Sequence, residues 1–235
     1  MRTALAAASI ALAVAAMHAA PQAPAARPAI VQKFLTAEGD TLTSYKAIRR
    51  LTASTRGGRM RASIEARTTL EPASGFNYEI VSEEGSPLIR RKVLIAALEA
   101  ERQAVLSAES RGARLTPENY DFVGVSVASE RLYKIDVRAR RKHQMLIDGA
   151  LFVDGDSADL VRMEGELSKR PSIWTRRVRV VREYARIEGF HVPVSMQSIA
   201  DVLIVGASNF SMTYKYLEIN GRTVAPEPAH ANSAH

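Results

Sequence analysis

The side chains able to do chemistry are few and scattered. Outside the first 20 residues the histidines are His143, His191, His230 and His235, and the last two fall in the terminal stretch. No two stand at metal-ligand spacing, and no HExxH pattern occurs. The chain has no cysteine. That removes disulfides, thiolate metal sites, cysteine nucleophiles and a lipid-modified N-terminal cysteine. There is no GxSxG elbow, Walker loop or GxGxxG. Glu83 and Glu84 are paired carboxylates just before a helix start, where the helix dipole favours negative charge without any catalytic role. Asp148, Asp154, Asp156 and Asp159 lie on turns but miss the spacing of a calcium loop. The sequence therefore predicts no catalytic residue, no metal and no cofactor. A hydrolase would need a nucleophile and base in one cleft, and no such spacing is visible.

What the chain does carry is a set of large, flexible apolar side chains on alternating positions. Met60, Ala62, Ile64, Ala66, Thr68 and Leu70 alternate with Arg61, Ser63, Glu65, Arg67 and Thr69. Period two over that length is a strand with one buried face. Residues 42–53, 76–80, 120–128, 131–139 and 160–167 read as further strands. Asp148-Gly149 is the strongest short turn signal, and predicts a hairpin between 144–147 and 150–153. The longest alternating stretch is 174–219, read as three strands with turns at Glu188-Gly189 and at Gly206 to Ser208. Ala29 to Ala37 could form a short helix. Ser86-Pro87 is a capping serine followed by proline at the first helical position. It opens a long helix over about 86–110, ended by Gly112. Its expected apolar stripe is Ile89, Val93, Ala96, Ala97, Ala100 and Ala104, with Glu99, Glu101 and Arg102 on the wet side.

The expected fold class is mainly β (α+β). Roughly ten strands form a curled antiparallel sheet, or incomplete β-barrel, with the long helix covering or plugging its concave side. A two-residue loop at Glu188-Gly189 sets Ile187 opposite Phe190, Ala185 opposite Val192, Val181 opposite Met196 and Arg179 opposite Ser198. The other face then pairs Tyr184 with Pro193, Val178 with Ile199 and Arg176 with Asp201. This register makes Phe190, Val192 and Met196 inner. It leaves Trp174, Arg176, Arg182, His191 and Gln197 outer. Phe210, Met212, Tyr214 and Tyr216 share the face of Val202 and Ile204 only across a loop of three or five residues around Gly206 to Ser208.

Residues 1–20 read as a secretory signal peptide: Arg2, an apolar run from Ala4 to Ala16, then small residues. The run is too short for a span of ~20 residues. Residues 21–28 form a Pro/Ala-rich disordered leader, 29–222 one domain and 223–235 a disordered tail. The mature protein is expected in the periplasm. Formal charge is +7. An exported basic chain meets anionic headgroups or an envelope protein rather than nucleic acid.

The segments YKIDVRARRKHQMLIDGALFVDGDSADLVRMEGELSK and VREYARIEGFHVPVSMQSIADVLIVGASNFSMTYKYLEING, within 133–221, resemble the periplasmic lipoprotein-localisation factors of Gram-negative bacteria and their uncharacterised exported relatives. The resemblance implies an incomplete barrel with helices as a lid over an apolar cavity for acyl chains. A related branch serves in envelope stress sensing. The expected lining is Met60, Ile64, Phe76, Val192, Met196, Phe210, Met212 and Tyr214, since methionine and aromatics suit irregular acyl or lipid-like ligands. Arg49 and Arg179 are candidates, by strand position, for headgroup or lid contacts. The expected function is a non-enzymatic binder or carrier of acyl chains, lipid or another amphipathic ligand. The alternative is an envelope interaction or stress-sensor module that binds a partner through its basic surface.

Overall fold

The computed structural model describes residues 28–37, 42–107, 114–171, 175–203 and 206–225. The expected signal peptide, residues 21–27 of the leader and the end of the tail lie outside these residues, as do Trp174, Ile204 and Gly112.

A short helix, α1 (Ala29–Thr36), precedes three strands: β1 (Tyr45–Thr55), β2 (Met60–Glu71) and β3 (Gly75–Gly85). The long helix follows, in three consecutive segments: Pro87–Ile89, a π-helical Arg90–Ile95, and Ala96–Leu106. Then come β4 (Tyr120–Ser129), β5 (Leu132–Ala139), β6 (Ile147–Asp154), β7 (Leu160–Leu167), β8 (Thr175–Ile187), β9 (Phe190–Val202), β10 (Gly206–Ile219) and a two-residue β11 (Arg222–Thr223). All eleven form one antiparallel sheet, ordered β3-β2-β1-β10-β9-β8-β7-β6-β5-β4, with β11 on β10. β3 and β4 are its unpaired ends, so the sheet curls without closing. This is the expected fold class.

Two cores share the concave side. In the first, the long helix lays Ile89, Leu94 and Leu98 on Leu51, Ile64, Phe76, Phe190, Val192 and Met212. In the second, Val31 of α1, with Ile30, Phe34 and Leu35, packs on Ile135, Ile147, Leu151 and Val153. Lys33 Nζ ties α1 to the β6–β7 turn, donating to the carbonyls of Gly155 at 3.2 Å and Asp156 at 2.6 Å. The tip of the β8–β9 hairpin touches both cores. Val192 sits in the first, while Tyr184 packs on the second and stacks on His191 at 5.3 Å.

Four local expectations are corrected. Asp148-Gly149 is not a turn; β6 runs straight through it. Gly149 lies opposite Gly165, and a Cβ on Gly149 would stand 2.1 Å from the Glu164 carbonyl oxygen. The two glycines permit a close approach of the two backbones. The Asp148 carboxylate, which would stabilise a turn, instead accepts the Ala139 N–H at 2.8 Å.

The second correction is the register of β8 on β9. Ile187 does face Phe190 and Ala185 faces Val192, across a turn with Glu188 and Gly189 at positive φ. Beyond Tyr184–Pro193 the pairing skips Val194, a bulge. The pairs become Arg182–Met196, Val180–Ser198, Arg179–Ile199 and Arg177–Asp201. Arg182 is therefore an inner residue, and Arg179, expected inner, stands on the opposite face. The third correction concerns Gly206 to Ser208, which opens β10 rather than turning. Val202 pairs with Gly206, which leaves three residues between the paired strands. Three residues is the odd length that keeps Phe210 and Met212 on the face of Met196.

The fourth correction is the helix stripe. It was expected on straight 3.6-residue spacing, yet Val93 is 39% exposed while Leu94 is 0% and Leu98 1% exposed. The π-helical turn inserts one residue, so the buried positions step from Ile89 to Leu94 and then to Leu98. Everything beyond it is rotated by one position, which brings Glu101 onto the inner face. The cap matches expectation: the Ile89 N–H donates to Ser86 Oγ at 3.5 Å, with Pro87 at the first helical position.

Candidate functional site

β1 reads Tyr45-x-Ala47-x-Arg49-x-Leu51-x-Ala53 on its inner phase. A guanidinium therefore stands where apolar side chains belong. The neighbouring inner positions Ala47, Ala62 and Ala66 are small and leave it room. Arg49 is 1% exposed. Its Nη1 donates to Glu101 Oε2 at 2.6 Å and its Nη2 to Glu101 Oε1 at 2.9 Å, a bidentate fork. Nη2 also donates to the Tyr45 hydroxyl. The guanidinium carbon lies 4.5 Å from the Tyr214 ring centre and 5.0 Å from that of Phe76. Burial by itself would lower the pKa of Arg49, but the hydrogen bonds and charge of Glu101 outweigh it, so the net shift is upward. Burial likewise raises the phenols of Tyr45, Tyr214 and Tyr216, which stay neutral.

This pair is the deepest tie between the long helix and the sheet. Two more lie nearer the surface. Tyr78 of β3 donates to Glu99 Oε2 at 3.3 Å, and Arg90 meets Glu83 at 2.6 Å.

Beside the pair is a cavity of about 430 Å³. Its roof is Ala97, Ala100, Glu101, Ala104 and Val105 of the long helix. Its floor is Met196, Phe210, Met212, Tyr214 and Tyr216, with Arg49 and Arg182 facing in. Met145, from the segment after β5, lies at its rim. The small alanine side chains of the helix leave a gap above the sheet. The volume is within the ~300–1,000 Å³ of small-molecule sites.

Arg182, partly buried, is the second cation at the cavity. Its Nη2 donates to Met196 Sδ at 3.4 Å, and its buried Nε has no hydrogen-bond partner. Burial works against its charge, but the surroundings, Tyr184 first, leave the pKa raised and the group protonated.

Of the expected lining, Met196, Phe210, Met212 and Tyr214 border the cavity. Ile64, Phe76 and Val192 do not: they are 1%, 2% and 0% exposed within the first core, and Met60 packs at its edge. Arg49 borders the cavity and holds the helix. Arg179 reaches neither, because the bulge turns it to the convex face. There it lines an open groove of about 810 Å³ with Arg177, Lys134, Glu164 and Glu166. The sequence reading missed Tyr45, Glu101, Arg182 and Tyr216. One signal was available for Arg182, a basic residue in the apolar phase Val178-x-Val180-x-Arg182-x-Tyr184. His191 donates to the Leu160 carbonyl at 2.5 Å and stacks on Tyr184, a structural arrangement. Among the described residues no three histidine, aspartate or glutamate side chains come together as a metal site.

Compared with known proteins, the chain matches no protein-family model and no curated protein. Among solved structures it is similar to a DUF1329 family protein from Desulfovibrio piger. The identity is 10%, over 79% of this chain and 87% of that one, with a TM-score of 0.35. It is also similar to a LolA superfamily protein from Nitrosomonas europaea. There the identity is 10%, over 83% of this chain and 93% of that one, with a TM-score of 0.36. Both likenesses are of outline.

Proposed function

We propose that the protein is an exported, non-enzymatic binder of acyl chains or similar amphipathic ligands, acting as a carrier in the cell envelope. The observation that carries this reading is the cavity between the long helix and the sheet, roofed by alanines and floored by Met196, Phe210, Met212 and Tyr214. Thioether and aromatic side chains adapt to a flexible chain at low cost, and the site offers no nucleophile–base pair. The helix is the movable wall. Its inner tie is one ion pair between Arg49 and Glu101. A ligand would enter between helix and floor while that tie is open, and the tie would re-form over it, so loading and release would share one two-state element. The signal-like N-terminus supports a periplasmic setting for this work.

The alternative, a partner docking through a basic surface, has weaker support. In the convex groove Lys134, Lys142 and Arg177 are already paired with Asp136, Asp148 and Glu166. Native mass spectrometry of protein purified from cell envelopes tests the carrier reading. It predicts a bound acyl lipid, released by organic extraction, and saturable uptake of a fluorescent acyl probe by the extracted protein. Protein that carries no lipid and takes up no probe would contradict it.

A further inference from the structure

The cavity holds two guanidinium groups and one carboxylate. Glu101 is committed with both oxygens to Arg49. Arg182 forms no ion pair among the described residues. Its contacts are a methionine sulfur, which is a weak acceptor, and the phenols around it. Its Nε is buried and unpartnered. A largely apolar cavity with one guanidinium in excess of its carboxylate attracts an anion. The strand places this charge deliberately: the bulge at Val194 is what turns Arg182 inward beside Met196.

We propose that the site selects anionic amphiphiles with a single acyl chain, and that Arg182 pairs with the acid group of the headgroup. This rests on the acyl-binding reading above and narrows it to a ligand class. The tail lies along Met196, Phe210 and Met212 under Ala97, Ala100 and Ala104, while the acid takes the donors that the fold leaves open. Arg49 keeps Glu101, so the helix can stay closed over such a ligand. A neutral lipid would bring no anion to the Arg182 guanidinium. The shared chemistry is an anionic oxygen acid, either the carboxylate of a free fatty acid or the phosphate of a lysophospholipid.

The test is calorimetric titration of delipidated protein with palmitate, 1-palmitoyl lysophosphatidate and the neutral 1-palmitoylglycerol. Wild type, Arg182→Met and Arg182→Lys are compared, with circular dichroism confirming each fold. Wild type is expected to bind at least one of the two acids about tenfold or more above the neutral lipid, the scale of a charge-assisted hydrogen bond. Whichever acid is preferred identifies the carboxylate or the phosphate. Arg182→Met is expected to lose the preference while still binding 1-palmitoylglycerol, and Arg182→Lys to keep part of it. Equal affinity of wild type for acid and neutral lipid overturns this inference alone, as does a preference that survives in Arg182→Met. Binding none of the three lipids overturns the acyl-binding reading with it.

Discussion

Replacing Glu101 by glutamine removes one charge and almost no volume, so it isolates the electrostatic hold on the helix. Arg49 would keep its buried position, 1% exposed, and lose its ion-pair partner. Removing one partner of a fully buried pair costs roughly 3–5 kcal/mol. The Glu101 side chain is 35% exposed, so water screens part of the interaction, and the glutamine oxygen still accepts one hydrogen bond. Both reduce the figure to about 2 kcal/mol, or a roughly 30-fold rise in helix opening if the loss is local. Hydrogen exchange read by mass spectrometry measures this directly. Amides of Ala96–Leu106 should lose protection by that factor while those of β6 change little. The double variant Arg49→Met with Glu101→Met removes both charges and should recover most of the protection, because hydrophobic replacement of a buried pair is often neutral. If Glu101→Gln changes exchange in the helix by less than about threefold, or loosens β6 equally, the pair does not hold the helix and the reasoning fails.

Other consequences are simpler to measure. Leu98→Ala should cost about 2–5 kcal/mol in urea unfolding and Val93→Ala less than about 0.5, because the π-helical turn buries the first and exposes the second; the reverse order would restore the straight-helix phase. Gly149→Ala should destabilise by about 3 kcal/mol or prevent folding, since its Cβ would strike the Glu164 backbone; a thermal midpoint within a degree or two of wild type would contradict the close approach. For pH, the carboxyl of Asp159 is pushed up by burial but pulled further down by Arg186, and Asp154 is lowered by the Ser157 N–H. Their folded pKa values lie below the unfolded value of about 3.9, so the folded state binds fewer protons. Their contribution is full above about pH 5 and is lost as pH falls through the folded values. Stability should therefore drop between pH 5 and pH 3, and Asp159→Asn should flatten that slope; an unchanged slope would refute the assignment.

How much of this was legible in the chain depended on range. Period-two runs such as Met60 to Leu70 specify strand and face locally, and so does the Ser86-Pro87 helix start. The curled antiparallel sheet followed from them. Three features did not follow, each because a non-local fit overrode a local signal. Asp148-Gly149 reads as a turn only until Gly165 is placed against it. The Val194 bulge shifts the partners of Arg179 and Arg182 by one, which exchanges their faces. The π-helical turn rotates Glu101 inward, and nothing in a 3.6-residue pattern announces it. The candidate site was half visible for the same reason. Its apolar floor was in phase with the strands, whereas its charged members depend on the bulge and the turn. Arg49 and Arg182 did leave a trace, as basic residues in apolar phase.

The central claim is that the cavity under the long helix is the ligand site. Ala104 lines its roof, so Ala104→Trp would fill much of the space. Titrating a fluorescent fatty acid into delipidated wild type and Ala104→Trp, with thermal midpoints checked in parallel, tests the claim most directly. The account predicts saturable one-to-one binding by wild type and at least a tenfold loss in the folded variant. Equal binding by both proteins would contradict it.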